Sequence, residues 1–121
     1  GLGIDAARLA GFGARLLAQG LNGLVPFGTM GEGPSFSPVQ RLEATTRLVE
    51  LGLPADRMIL GIGAAALADQ AWLGRQASAL ALAGVLATPP FFFRDVDQEG
   101  VYAFYAALAE ALGPEAPPLL L

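Results

Sequence analysis

The stretch Gly28-Thr29-Met30-Gly31-Glu32-Gly33 is the part of this sequence best suited to chemistry. It follows a short apolar run, Leu24-Val25-Pro26-Phe27, that reads as a strand. Thr29 therefore places a hydroxyl just past a strand's carboxyl end, where α/β proteins keep their active sites. The backbone N–H groups of such a run form a nest for a carboxylate or phosphate. The stretch has no Lys-Ser or Lys-Thr pair, so it is not a nucleotide P-loop. From spacing alone, the same residues also make an ordinary turn with Thr29 bonded to nearby backbone.

Two further stretches carry weaker signals. Gly61-Ile62-Gly63-Ala64-Ala65-Ala66 fits the start of a dinucleotide fingerprint after a strand. No acidic residue stands between Asp69 and Asp95 to hold a ribose, and a tight strand-to-helix turn explains the glycines. Asp95-Val96-Asp97-Gln98-Glu99-Gly100 resembles the opening of a calcium loop, but Ala106 stands where the bidentate glutamate belongs. Acids gathered before a helix start, where the dipole favours them, account for this run without a metal.

The inventory excludes much else. Histidine and cysteine are absent, which removes the commonest general base, thiolate ligands, disulfides and cysteine nucleophiles. All seven basic residues are arginines, and the net charge is −4. No basic stripe appears, so nucleic acid is not an expected partner.

Four helices and four short strands alternate to position these residues. The first helix spans about Asp5 to Gln19, with Leu9, Phe12 and Leu16 on one face and Gly20 as its stop. The second has the clearest start: Ser37 caps, Pro38 takes the first helical position and Gln40 completes a capping box. Val39, Leu42, Thr46 and Val49 mark its apolar face, and Gly52 ends it. A strand at Met58-Ile59-Leu60 leads to a third helix, roughly Ala68 to Leu82, whose start lacks a capping oxygen. A strand at Val85-Leu86-Ala87-Thr88 precedes a fourth helix from about Asp97 to Gly113, with Val101, Phe104, Tyr105, Leu108 and Leu112 as its stripe. Leu119-Leu120-Leu121 reads as a strand cut off mid-way.

Strand starts recur about 30 residues apart, the size of a βα unit, which predicts a parallel sheet with right-handed crossovers. The alternation alone fits either an open doubly wound sheet or part of a barrel. Hydrophobic residues make up 54% of the chain and charged ones only 15%, which suggests strands covered on both faces or surfaces that meet something larger. The longest apolar stretch, Ala79 to Phe93, is broken by Gly84, Pro89 and Pro90, so no membrane helix is expected. No secretory signal is visible, and an initial glycine suggests that the natural start is missing.

Asn22-Gly23-Leu24-Val25-Pro26-Phe27-Gly28-Thr29-Met30-Gly31-Glu32 closely resembles the Gly-Thr-Thr-Gly-Glu segment of the dihydrodipicolinate synthase and N-acetylneuraminate lyase family. Ser35-Phe36-Ser37, Arg41, Ile59 to Ala64, Thr88-Pro89-Pro90-Phe91-Phe92-Phe93 and Gln98 to Tyr102 continue the likeness in order. The resemblance implies a (β/α)8 TIM barrel, of which residues 1–121 hold the first helix through the fifth strand as one partial domain, truncated at both ends. It implies class I aldolase chemistry on pyruvate or another small 2-oxo acid, with a Schiff-base lysine on a later strand. That lysine is expected roughly 30–40 residues past Leu121, one strand unit on.

The resemblance gives Thr29 a place in a proton relay and assigns the substrate carboxylate to Gly28, Thr29, Met30 and Gly31. It also implies a cytoplasmic homo-oligomer, dimer or tetramer, that needs no cofactor and no metal. Phe93 stands where many synthases carry the relay tyrosine, without the hydroxyl, and Met30 replaces the second threonine. These two departures point to a related aldolase or lyase rather than an efficient dihydrodipicolinate synthase. The competing readings are a barrel homologue that binds a 2-oxo acid or sugar acid without turnover, and a nucleotide-binding α/β domain resting on Gly61 to Ala66 alone.

Overall fold

The computed structural model describes residues 3–121. Helix α1 runs Ala6–Ala18 behind Asp5, whose side chain accepts the Arg8 N–H at 3.0 Å. Helix α2 runs Pro38–Glu50 behind the expected capping box. Ser37 Oγ accepts from the Gln40 N–H at 3.2 Å, and Gln40 Oε1 accepts from the Ser37 N–H at 3.0 Å. Strand β1 is Ile59–Gly61, helix α3 Leu67–Ala79, strand β2 Gly84–Leu86, helix α4 Gln98–Leu112 and strand β3 Leu119–Leu120. The acidic run before α4 acts as a helix start: the Asp97 carboxylate accepts the Gly100 N–H at 2.6 Å.

The strands lie in the order β1-β2-β3, all parallel, with Leu60 beside Val85 and Val85 beside Leu119. Leu24 adds a parallel bridge to Met58 on the other side of β1. The expected strand at Leu24 to Phe27 is thus reduced to a bridge. Gly61 donates to Pro26 O at 2.9 Å, but Pro26 has no N–H to return, and Phe27 turns to a φ of 61°. Helices return the chain to each next parallel strand, and α3 packs between α2 and α4. The result is a parallel sheet with helical crossovers, the architecture that one stretch of a (β/α)8 barrel wall requires.

Met58, Leu60, Ile62, Leu73, Val85 and Leu108 are fully buried and form the centre of the core. Two helical faces differ from the periodicity reading. In α1 the buried residues are Ala10 and Gly13, while Phe12 is 48% exposed. A Cβ on Gly13 would meet Leu24 Cδ1 at 2.9 Å and Leu53 Cδ1 at 3.0 Å, so the smallest residue marks where the helix touches the sheet. In α2 the buried residues are Arg41, Ala44, Thr45 and Leu48, whereas Val39 is 53% exposed. Apolar counting places an arginine outside, but backbone carbonyls bury this one by accepting its N–H groups. No helix among the described residues is long and apolar enough to cross a membrane.

Candidate active site

The carboxyl ends of the parallel strands open onto a cavity of about 370 Å³. Gly28 and Thr29 line it from the loop after the Leu24 bridge, Gly61 and Gly63 from the end of β1, and Leu86, Thr88 and Phe91 from the end of β2. None of its lining residues is titratable.

The glycine-rich loop is built around one carbonyl. Phe27 is buried and left-handed, an uncommon backbone for an aromatic residue that persists only where neighbours over-determine it. Those neighbours are Gly33 and Gly61. A Cβ on either would be driven into the Phe27 carbonyl, so the carbonyl is clamped between two glycines. The Phe27 ring packs edge-on against Phe36, with centroids 5.7 Å apart. Past the clamp, the Gly31 and Gly33 N–H groups both donate to Gly28 O at 3.1 Å, and the Glu32 N–H donates to Thr29 O at 3.2 Å. Among the described residues, no group accepts from the N–H of Gly28, Thr29 or Met30. Three consecutive N–H groups without an acceptor are the arrangement that an anion nest needs.

Gly63 and Thr88 form the far side. A Cβ on Gly63 would collide with the Thr88 side chain, so glycine is required there by packing rather than by a dinucleotide. Thr88 Oγ1 is buried without a hydrogen-bond partner among the described residues, an orphan hydroxyl at the cavity wall.

Beneath the floor lies Arg41, 2% exposed. Its Nη1 donates to Gly63 O at 2.7 Å and Gly61 O at 3.2 Å, and its Nε donates to Phe36 O at 3.1 Å. Burial lowers its pKa from the usual arginine value, and the nearby Asp69 carboxylate partly offsets that. Thr45 Oγ1 bonds back to Arg41 O at 2.7 Å within the same helix.

The residues singled out from sequence fare differently. Gly28 and Thr29 line the cavity. The Met30 side chain is 98% exposed and stays off the lining, so only its backbone N–H is positioned to act. Gly31 lies outside the cavity, on an apolar groove beside α1, and its N–H is engaged by Gly28 O. Phe93 also lies outside: it is 64% exposed and packs on Phe92, while Phe91 takes the place on the wall. Phe92 and Phe93 follow Phe91 in an irregular turn and are both exposed, a placement that sequence spacing cannot resolve. Gly63, Thr88 and Arg41 join the site through contacts distant in sequence. Gly63 shows in the sequence as part of a glycine-rich strand-to-helix turn, whereas Thr88 and Arg41 show only as members of stretches that carry the family likeness.

Fold and site together define part of a parallel α/β barrel with its candidate site at the strands' carboxyl ends. Residues 3–116 match the model of the dihydrodipicolinate synthetase family. The chain belongs to that family. It is 35% identical over 117 residues to an uncharacterized DapA-like lyase of Chloroflexus aurantiacus, covering 97% of this chain and 39% of that protein. It is 33% identical over 110 residues to a 4-hydroxy-tetrahydrodipicolinate synthase of Acidiphilium cryptum, covering 91% of this chain and 37% of that one. A crystal structure of dihydrodipicolinate synthase from Agrobacterium tumefaciens superimposes with a TM-score of 0.91 at 25% identity, over 96% of this chain and 40% of that chain. The chain thus spans about two fifths of the length of these relatives.

Proposed function

We propose that the protein carrying this chain is a 2-oxo-acid-dependent aldolase, lyase or synthase that works through a lysine Schiff base, the lysine lying outside residues 1–121. The observation that carries this reading is the Gly28-Thr29-Met30 corner. It offers free N–H groups and one hydroxyl on the rim of a cavity at the strand ends. A 2-oxo acid such as pyruvate presents a carboxylate to those N–H groups, which holds its keto carbon over the cavity. The lysine amine adds to that carbon and water leaves, giving an iminium. When the adjacent carbon–carbon bond breaks, its electron pair flows into the iminium, and bond formation runs the same path in reverse. In this reading Thr29 Oγ1 passes the proton that moves with each step. The family likeness also supports a cytoplasmic homo-oligomer.

Phe91 on the wall and Phe93 beyond it have no hydroxyl, and an apolar wall disfavours a charged aldehyde that lacks a paired cation. The reading therefore favours lyase or aldolase activity over lysine-pathway synthesis. Two assays on the full-length protein test it: pyruvate release from 2-keto-3-deoxy sugar acids, and condensation of pyruvate with aspartate semialdehyde. Release of pyruvate from a sugar acid is expected. A condensation kcat/KM of about 10⁴ M⁻¹s⁻¹ or more, the lower end of the usual enzyme range, would overturn the preference for lyase chemistry.

A further inference from the structure

We propose that Arg41 is a positioning residue that sets the Thr29 hydroxyl by holding both jaws of the clamp on the Phe27 carbonyl. The inference rests on the reading of Thr29 as the proton-passing group. One jaw is Gly61, whose own carbonyl accepts from Arg41 Nη1 at 3.2 Å. The other is Gly33, whose carbonyl accepts the Phe36 N–H at 3.0 Å, and Phe36 O in turn accepts from Arg41 Nε at 3.1 Å. Nη1 also donates to Gly63 O at 2.7 Å, which ties down the glycine against Thr88.

An arginine that served only its own helix would bond locally. These acceptors lie 5, 20 and 22 residues away and come from separate stretches bordering the cavity. The planar guanidinium fork is what lets one side chain reach carbonyls on different segments at fixed angles, and a lysine ammonium cannot reproduce that fork. If the clamp loosens, Phe27 is free to leave its left-handed φ of 61°, and Gly28 and Thr29 move with it. Arg41 is absent from the cavity's lining, so it is placed to act through the loop and not at its surface.

The test uses the full-length protein with Arg41→Lys, Arg41→Gln, Thr29→Val and the Arg41→Lys/Thr29→Val double variant. Amide exchange is followed in peptides covering 27–33 and 101–112, and kcat and KM are measured with the 2-oxo-acid substrate. In Arg41→Lys, residues 27–33 should lose protection while α4 keeps its own, and kcat should fall about 10- to 100-fold with a smaller change in KM. Arg41→Gln should be at least as impaired as the lysine variant. In the Thr29→Val background, Arg41→Lys should change kcat by no more than about 2-fold, the mark of two residues acting as one. Unchanged exchange at 27–33, loss of protection throughout the chain, or multiplying losses in the double variant would each overturn the proposal. If the wild-type protein shows no turnover of any 2-oxo acid, the functional reading falls, while the exchange comparison still decides whether Arg41 holds the loop.

Discussion

Thr29 carries the only hydroxyl in the glycine-rich loop, at a position where the neighbouring amides lack acceptors among the described residues. Replacing it with valine keeps the shape and removes the hydroxyl that we propose passes the proton. In the full-length protein we expect Thr29→Val to lower kcat by about 10²-fold or more, the range for loss of a positioned proton-transfer group. Steady-state kinetics checks this, and a change confined to KM would make Thr29 a binding residue instead. The backbone around Thr29 needs two glycines for a stated reason. Gly61 and Gly33 leave room for the Phe27 carbonyl, which any Cβ would displace. That requirement separates a structural glycine from a merely tolerated one, and it has a measurable counterpart among the elements.

Gly11 lies in the exposed middle of α1, with nothing within 4 Å of where a Cβ would stand. Alanine there should stabilise the full-length protein by about 0.5–1 kcal/mol, the usual gain of Ala over Gly inside a helix. Gly61→Ala should destabilise it, by about 1–3 kcal/mol as for overpacked sites. Denaturant midpoints of the two variants should move in opposite directions, and equal shifts would contradict the clamp. The contrast also shows what the sequence makes legible. The starts of α2 and α4 were readable because Ser37, Gln40 and Asp97 bond to groups three residues away. Likewise, the alternation of helices and strands, which needs only local periodicity, matches the parallel sheet. The buried faces of α1 and α2 were not readable. Gly13 is small because Leu24 and Leu53 press on it, and Arg41 is buried by carbonyls at Gly61 and Gly63. The cavity was half legible: Gly28 and Thr29 announce it, while Thr88 and Phe91 reach it through strand pairing and an irregular turn.

For the molecule as a whole, β3 has a neighbour on one side only among the described residues, and Leu121 beside it is 71% exposed. An apolar groove of about 230 Å³ between α1 and the start of the sheet is open as well. Unpaired strand edges and open apolar faces favour association. A polypeptide of residues 1–121 alone should therefore bind hydrophobic dye and self-associate, and a sharp cooperative melt of a monomer would count against this. The central claim concerns the protein that carries this chain. It is tested most directly by incubating the full-length protein with pyruvate and borohydride and mapping the product by mass spectrometry. The sequence given has no lysine, since all seven of its basic residues are arginines. A Schiff-base enzyme gains a reduced pyruvate adduct on a lysine outside residues 1–121. No lysine adduct with pyruvate or any other 2-oxo acid, in protein that still binds the acid, would contradict the account and leave a binding protein in its place.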